Sequence, residues 1–132
     1  MAMKIGIIGL GQMGGAIANN LVKNGFDVSG YDLLEEARDQ LSKNGGSLMD
    51  SAGAVAANSD VLVLSLPSPE ALFDVTRQIE NIGQAHLIAM EISTLTLEDK
   101  QTAHDRLEES GIVLLDIPMS GTGIQARSGD LV

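Results

Sequence analysis

The chain has 132 residues, no cysteine and a net charge of −10, with only eight lysines and arginines. This length predicts one domain with a sizeable core, which must be aliphatic because aromatic residues make up only 2% of the sequence. The charge and the lack of a basic run argue against nucleic acid and anionic membranes as partners, and the lack of cysteine excludes disulfides and thiolate metal sites.

The first half of the chain alternates short apolar runs with helical periodicity. Strands are predicted over 3–10, 26–32 and, more briefly, 45–50, and helices over 12–25, 33–46 and 51–58. In the first helix, Met13, Ile17 and Leu21 recur at steps of four on one face. In the second helix, we expect Leu34, Ala37 and Leu41 to face inward.

The second half opens with the most apolar strand of the chain. Five large aliphatic residues fall within "VLVLSLP", which is typical of a strand buried on both faces of a parallel sheet. Ser68 is predicted to cap a helix that begins at Pro69, and Thr96 a second helix. The predicted strands here are 60–67, 86–93 and 111–118, and the predicted helices are 68–79 and 96–111.

Regular alternation of strands and helices implies right-handed crossovers and a doubly wound sheet. We therefore predict an α/β Rossmann fold, mostly parallel, in three layers and with strand order 3-2-1-4-5-6. No repeat or linker divides the chain, so residues 1–132 are assigned to one dinucleotide-binding domain.

The sharpest motif, "GLGQMG", places Gly9, Gly11 and Gly14 between the first strand and the first helix. In this setting the glycines permit a tight turn, a close approach of pyrophosphate and close helix packing, while the helix N-terminus attracts phosphate. Asp32 follows Gly14 by 18 residues, at the end of the second strand, where a carboxylate bonds the ribose hydroxyls. A carboxylate there would repel a 2′-phosphate, and Arg38 lies a helical turn and a half beyond it. The sequence therefore favours NAD over NADP.

Four motifs in order extend this prediction: "GIIGLGQMGGAIANNLVKNGFDVSGYD", "VLSLPSPEAL", "EISTLT" and "DIPMSGTGIQARSGDL". With them the whole chain resembles the N-terminal NAD-binding domain of the β-hydroxyacid dehydrogenases, which include 3-hydroxyisobutyrate dehydrogenase, tartronate semialdehyde reductase and 6-phosphogluconate dehydrogenase. The resemblance implies hydride transfer between a nicotinamide cofactor and a short 3-hydroxy acid or its semialdehyde. It also implies that the full-length protein is a homo-oligomer with a second, helical domain.

The resemblance also assigns residues to the site. The cofactor-binding residues expected from the glycine motif and the resemblance are Gly9, Leu10, Gly11, Gln12, Met13, Gly14, Asp32, Leu66, Pro67, Ser68 and Thr94. Ser120 and Gly121 match the family's substrate loop, in which Thr122 replaces a second glycine. All these positions follow strand C-termini, the rim at which ligands bind in this fold.

No acid–base group is found at that rim. The lysines are Lys4, Lys23, Lys43 and Lys100, and they are expected at the wrong end of the sheet, at helix C-termini or on a surface helix. His86 and His104 are expected at the surface, and no His, Asp or Glu pair shows metal-ligand spacing on one helix, so no metal site is predicted.

The resemblance accounts for the missing group. The family's catalytic lysine lies on a helix well past the substrate loop, and we expect it beyond Val132, the last residue of this chain. No catalytic residue is therefore assigned within the 132 residues. We expect a fragment that binds the cofactor without turnover.

Two other interpretations compete with this one. A stand-alone module that senses NAD and regulates a partner would share the glycine loop and Asp32, and a Rossmann reductase could act on an imine or a ketoacid. Neither explains "MSGTGIQARSGDL", which favours the hydroxyacid enzyme. We expect Gly129 and the following "DLV" to lead into a further strand. The lack of a signal peptide or long apolar span predicts a cytoplasmic location.

Overall fold

The computed structural model describes residues 3–82, 86–121 and 123–129. Its strands are β1 (Lys4–Ile8), β2 (Asp27–Tyr31), β3 (Ser47–Leu48), β4 (Val61–Leu64), β5 (Ile88–Glu91) and β6 (Val113–Asp116). Its helices are α1 (Gln12–Lys23), α2 (Glu35–Lys43), α3 (Ala52–Ala57), α4 (Pro69–Ile79), α5 (Leu97–Glu108) and α6 (Gly123–Ser128).

The strands form one parallel sheet in the order β3-β2-β1-β4-β5-β6. This confirms the predicted Rossmann order, and every element from β1 to β6 lies within its predicted range. Leu34 was wrongly expected to face inward: it precedes α2 and its side chain is exposed. Only Leu41 of that predicted face is fully buried.

Helix α6 is the one described element that the sequence analysis did not predict. It covers Gly123–Ser128, directly after the expected substrate loop, and packs against α1. There, Asn20 Nδ2 donates to the carbonyl oxygen of Ala126 at 2.7 Å, and Ala126 is buried. The further strand expected after Gly129 falls on Asp130, Leu131 and Val132, which lie outside the described residues.

The core consists of two apolar clusters, one on each face of the sheet. Val55, Leu72 and Leu107 represent the cluster under α3, α4 and α5, and Ala18 and Leu41 the cluster under α1 and α2. β4 contributes to both clusters, because Leu62 and Leu64 face the first and Val63 faces the second. The predicted burial of this strand on both faces, and the three-layer architecture, are confirmed.

The β5–β6 end of the sheet is less completely covered. Ile88 and Val113 are register partners, as are Met90 and Leu115, and of these four only Met90 is not exposed. Leu114, which points to the other face of β6, is buried under α5. No described helix is both long and apolar enough to cross a membrane.

Candidate cofactor-binding site

A cleft of about 570 Å³ opens at the carboxyl ends of β1, β2 and β4. Its walls come from the turn after β1, the residues that follow β2, the loop after β4 and the facing sides of α3 and α4. The predicted site residues that line it are Gly9, Gly11, Asp32, Leu66 and Pro67. The cleft therefore unites three of the segments that the sequence analysis placed at one rim.

The three glycines of the first loop have different structural roles. Gly9 has φ +94, and a Cβ there would lie 1.9 Å from the carbonyl oxygen of Ser65. A Cβ on Gly14 would lie 1.9 Å from the carbonyl oxygen of Gly9, so this glycine lets α1 pack against the turn. A Cβ on Gly11 would meet no atom within 4 Å. Only at Gly11, therefore, does the bare backbone face open space that a ligand can enter.

Helices α1 and α2 begin without the side-chain cap that α3, α4 and α5 have, and α1 differs from α2 in lacking acidic residues such as Glu35 and Glu36 in its first turn. Ser51, Ser68 and Thr96 each accept a hydrogen bond from a first-turn backbone N–H of α3, α4 and α5, respectively. The N-cap of α1 is Gly11, which has no side chain to do so, and the first turn of α1 contains no acidic residue. First-turn N–H groups that no side chain caps carry partial positive charge toward the cleft, which suits a pyrophosphate.

Asp32 is held rigidly at the end of β2. Its Oδ2 accepts a hydrogen bond from Leu10 N at 2.7 Å, and its Oδ1 accepts one from Leu34 N at 2.8 Å. Each carboxylate oxygen has further lone pairs, so the group can still accept hydrogen bonds from ribose hydroxyls. The two backbone amides orient the carboxylate before any ligand arrives.

Arg38 lies closer to the backbone of the Asp32 turn than its spacing along the sequence suggests. Its Nη1 donates to the carbonyl oxygens of Asp32 and Leu33 at 2.9 and 3.0 Å, and its guanidinium carbon lies 6.0 Å from the ring centroid of Tyr31. The spacing along α2 predicted too large a distance between Arg38 and Asp32, because the long side chain folds back over the turn that precedes the helix. The guanidinium is thus partly committed to backbone carbonyls of the Asp32 turn.

The other predicted residues of the glycine loop occupy less direct positions. Leu10 is buried in the core, and its part in the site is the backbone N–H that bonds Asp32. Met13 packs against the apolar cluster under α1 and α2. Gln12 is exposed and lines a smaller groove, of about 220 Å³, between α1 and α2.

A second set of contacts ties the loop after β4 to the loop after β5. The backbone N–H of Leu66 donates to Ser93 Oγ at 2.7 Å, so Leu66 and Pro67 are fixed relative to the start of the next loop. Thr94, one residue further, is exposed. Ser68 does not line the cleft; its hydroxyl accepts a hydrogen bond from Ala71 N and caps α4.

The predicted substrate loop begins just beyond β6. Ile117 N donates to the carbonyl oxygen of Glu91 at 2.9 Å, and Met119 N to that of Ile92 at 3.4 Å. Ser120 and Gly121, which follow, are exposed, and Gly121 has φ 150. Thr122 lies outside the described residues. The loop therefore leaves the sheet beside β5, on the same rim as Thr94.

A cluster of three charged residues at this end of the sheet, of which Glu91 and Lys100 are buried and Asp116 is exposed, was not predicted from the sequence. Lys100 was expected on the surface of α5 but is 4% exposed, with Nζ 2.6 Å from Asp116 Oδ1. Beside Asp116, in register, lies Glu91, which is fully buried. Burial raises the pKa of the Glu91 carboxyl, although hydrogen bonds from Ser93 and the charge of Lys100 oppose this. A glutamate in the apolar run "HLIAMEIS" was the available signal.

The histidines lie away from the cleft, as expected. His86 is exposed just before β5, at the opposite end of the sheet from the rim, and His104 is partly exposed in the middle of α5. The statement that no helix has metal-ligand spacing was wrong, because His104, Asp105 and Glu108 bring ligand atoms within 4.8 Å of one another on α5. Two of these three residues are exposed, and a hydrogen bond from His104 lowers the pKa of Asp105.

Comparisons with known proteins agree with this geometry. Residues 4–132 match the family model of the NAD-binding domain of 6-phosphogluconate dehydrogenase. The NAD-dependent L-serine dehydrogenase of Pseudomonas aeruginosa is 33% identical over 97% of this chain and 44% of its own length. The human mitochondrial 3-hydroxyisobutyrate dehydrogenase is 30% identical over 96% of this chain and 39% of its own.

A solved structure matches equally well. The 3-hydroxyisobutyrate dehydrogenase of Mycobacterium tuberculosis with L-serine superposes with a TM-score of 0.95 at 28% identity, over 99% of this chain and 45% of that one. The chain thus spans less than half the length of each of these relatives.

Proposed function

This chain belongs to the family of NAD-binding domains that includes the domain of 6-phosphogluconate dehydrogenase, and on that premise we propose that it is the cofactor half of a hydroxyacid dehydrogenase. The observation that carries the proposal is the pairing of the uncapped N-terminus of α1 with Asp32, which Leu10 N holds at the same cleft. One element suits the pyrophosphate and the other suits the adenosine ribose.

The proposed cofactor contacts follow from these positions. Gly11 and the first turn of α1, with Gln12 and Met13, bind the pyrophosphate, because there the backbone is open and its N–H groups are free of side-chain caps. Asp32 accepts hydrogen bonds from the adenosine ribose. Leu66, Pro67 and Thr94 continue along the rim toward the nicotinamide, with Ser68 supporting this wall as the N-cap of α4.

The proposed substrate contacts lie next to this end. Ser120 and Gly121 bind the carboxylate or hydroxyl of a short 3-hydroxy acid, and Thr122 narrows the loop relative to the glycine that the family resemblance leads one to expect. The relatives named above act, by their names, on L-serine and 3-hydroxyisobutyrate, which are small hydroxy acids. We extend this substrate class, as the acid or its semialdehyde, to the protein to which this domain contributes.

The chemistry needs a proton carrier, and none is assigned at the rim among the residues that the structure describes. The bound nicotinamide ring supplies the chemistry of hydride transfer, and an acid–base group must move the hydroxyl proton. Of the four lysines, only Lys100 approaches the rim, and its ammonium is paired with Asp116. We therefore propose that the acid–base lysine and the oligomer contacts come from residues beyond Val132. That lysine stays a prediction, because the described residues end at Gly129.

The alternative is a regulatory module that only senses NAD. It shares the cofactor cleft, so binding of NAD does not distinguish it from the enzyme domain. The anchored loop after β6 favours the enzyme, because Ile117 and Met119 fix its start beside the proposed nicotinamide end. A sensor has no need to place a serine and a glycine there.

The test is calorimetric titration of the chain with NAD and NADP, followed by addition of L-serine or 3-hydroxyisobutyrate to the NAD-loaded chain. We expect tighter binding of NAD than of NADP and no NADH formation. Failure to bind either nucleotide would overturn the proposal. NADH formation at an enzyme-like rate would show that the chain contains its own acid–base group.

A further inference from the structure

We propose that Glu91 is a positioning residue, and that the protonation state of its carboxyl sets the alignment of the loops that follow β4 and β5 along the cleft. The inference concerns the cofactor domain itself. It rests on the proposed function only in taking NAD as the occupant of the cleft.

The Glu91 carboxyl is only half satisfied. The side chain is fully buried, and Oε1 accepts a hydrogen bond from Ser93 N at 2.5 Å. Oε2 is equally buried but has no hydrogen-bond partner within the part of the chain that the structure describes. Buried polar atoms without a partner are uncommon, and their cost rises sharply if they are charged. The carboxyl is therefore far easier to accommodate when it carries a proton.

The Glu91 carboxyl is connected to the cleft through one residue. Ser93, whose N–H bonds Oε1, accepts a hydrogen bond from Leu66 N through its own hydroxyl at 2.7 Å. Leu66 and the next residue, Pro67, form part of the cleft wall. A change at the Glu91 carboxyl thus reaches the wall by two consecutive hydrogen bonds.

The backbone of Glu91 anchors the third loop of the rim. Its carbonyl oxygen accepts a hydrogen bond from Ile117 N at 2.9 Å, at the start of the proposed substrate loop. The loop after β6 is therefore linked to Glu91 directly, and the loop after β4 is linked to it through Ser93. Ionisation of a side chain at such a junction acts on the cofactor wall and the substrate loop together.

Two charged groups act on Glu91, one from α5 and one from β6, while its register partner on β4 is the apolar Leu64. Lys100 approaches from α5 and favours the ionised carboxyl, while Asp116, its register partner on β6, disfavours it. Lys100 Nζ bonds Asp116 Oδ1 at 2.6 Å, so its charge is already matched by another carboxylate. Burial outweighs these effects and raises the pKa of Glu91 above its ordinary value.

The consequence is a pH-dependent cleft wall. At pH values below the raised pKa, the neutral carboxyl leaves the Ser93 segment and Leu66 in the arrangement described. As pH rises through that pKa, the carboxylate requires a donor for Oε2. We expect water or a rearranged backbone to supply it through a movement of the Ser93 segment, which already bonds Oε1. We expect NAD affinity to fall over this range by about fivefold or more, the lower end of ordinary coupling between sites.

The first experiment follows the ligand-free chain by amide NMR from pH 5 to pH 9. The amides of Ser93 and Leu66 should titrate together in the native protein. They should not titrate in Glu91→Gln, whose side chain mimics the neutral carboxyl. Glu109→Gln is the matched control, since it removes the same charge from an exposed position at the end of α5. Its Ser93 and Leu66 amides should titrate as in the native chain.

The second experiment measures the NAD dissociation constant of the same three proteins over the same pH range by calorimetry. Glu91→Gln should keep the low-pH affinity throughout, while the native chain and Glu109→Gln should both weaken. The two histidines are present in all three proteins, so their effects cancel in the comparison. Ser93→Ala, which removes the link to Leu66 but leaves Glu91 in place, should abolish the pH-dependence at the Leu66 amide.

The outcomes separate this inference from the proposed function. Parallel pH profiles in the native chain and Glu91→Gln, or amides of Ser93 and Leu66 that do not titrate, would overturn the role of Glu91 while leaving NAD binding intact. Loss of NAD binding at every pH would instead overturn the proposed function, and the NMR titration would still decide the role of Glu91. If Glu91→Gln does not fold, the native titration and Ser93→Ala decide it alone.

Discussion

Asp32 and Glu91 both stand at the end of a strand, yet their surroundings suit them to different tasks. Asp32 is half-buried, and each of its oxygens accepts a hydrogen bond from a backbone N–H beside the cleft. Glu91 has the same carboxyl group but lies under α5, and one of its oxygens has no hydrogen-bond partner among the described residues. The number of donors that each carboxyl meets decides how fully its oxygens are satisfied in the folded chain.

Replacing Asp32 with Asn should weaken NAD binding by about tenfold or more, since charge-assisted hydrogen bonds contribute about 1.5–3 kcal/mol each. The amide group of Asn would also turn a donor toward either Leu10 N or Leu34 N. The preference for NAD over NADP should shrink because the repelling charge is gone. Titration with both nucleotides measures this, with Asp39→Asn on the exposed side of α2 as the control. An unchanged NAD dissociation constant would contradict the role given to Asp32.

Gly14→Ala and Gly11→Ala should separate folding from binding. The Cβ on Gly14 would collide with the carbonyl oxygen of Gly9, so we expect a loss of about 1–3 kcal/mol or more in the free energy of unfolding. The Cβ on Gly11 meets nothing in the protein, so stability should change by less than about 1 kcal/mol. Its NAD affinity should nevertheless fall, because the methyl group occupies the space beside the pyrophosphate. Urea unfolding and NAD titration of both variants provide the measurements.

At the scale of the helices, features that depend on neighbouring residues could be predicted from the sequence. Features that depend on contacts with distant residues could not. Ser68 and Pro69 announce the start of α4 because a cap involves only neighbouring residues. Helix α6 carries no such signal; its support is the packing of Ala126 on α1 and the bond from Asn20, 106 positions away. The burial of Lys100 likewise depends on Asp116 of β6, which a helical pattern for α5 cannot reveal.

Ser68→Ala tests whether this serine serves the helix or the cofactor. If capping is its main role, the free energy of unfolding should fall by about 1 kcal/mol while the NAD dissociation constant changes little. Ser68→Asp should restore stability, because Asp is an equally good N-cap. A large loss of NAD affinity in Ser68→Ala at unchanged stability would instead make the hydroxyl a direct cofactor ligand.

For the whole molecule, Glu91 makes stability depend on pH. Its pKa is higher in the folded than in the unfolded chain, so its contribution to stability is fully present below the unfolded value and is lost as pH rises through the folded one. Relative to the native chain, Glu91→Gln should therefore gain stability as pH increases across that window. Urea unfolding of both proteins at several pH values measures the difference. A constant difference between them would show that the carboxyl titrates normally.

The overall architecture could be predicted because it follows from the order of elements. Continuous apolar strands such as β4, separated by helices, allow few topologies once crossovers must be right-handed. The glycine loop and Asp32 could be placed at one cleft for the same reason, since parallel strands bring their C-termini to one edge. Arg38, Lys100 and Glu91 were misplaced or missed because their surroundings depend on how long side chains and packed layers meet.

The strand order also determines when β1 gains each of its neighbouring strands during synthesis. β1 lies between β2 and β4, and Lys4 N bonds a side-chain oxygen of Asp60, 56 positions later. When β1 and β2 have left the ribosome, one edge of the central strand still has no partner. A chain that grows at about 5–20 residues per second then leaves that edge of "KIGII" open for seconds. β1, a central strand of the folded domain, is thus an edge strand for the first seconds after its synthesis.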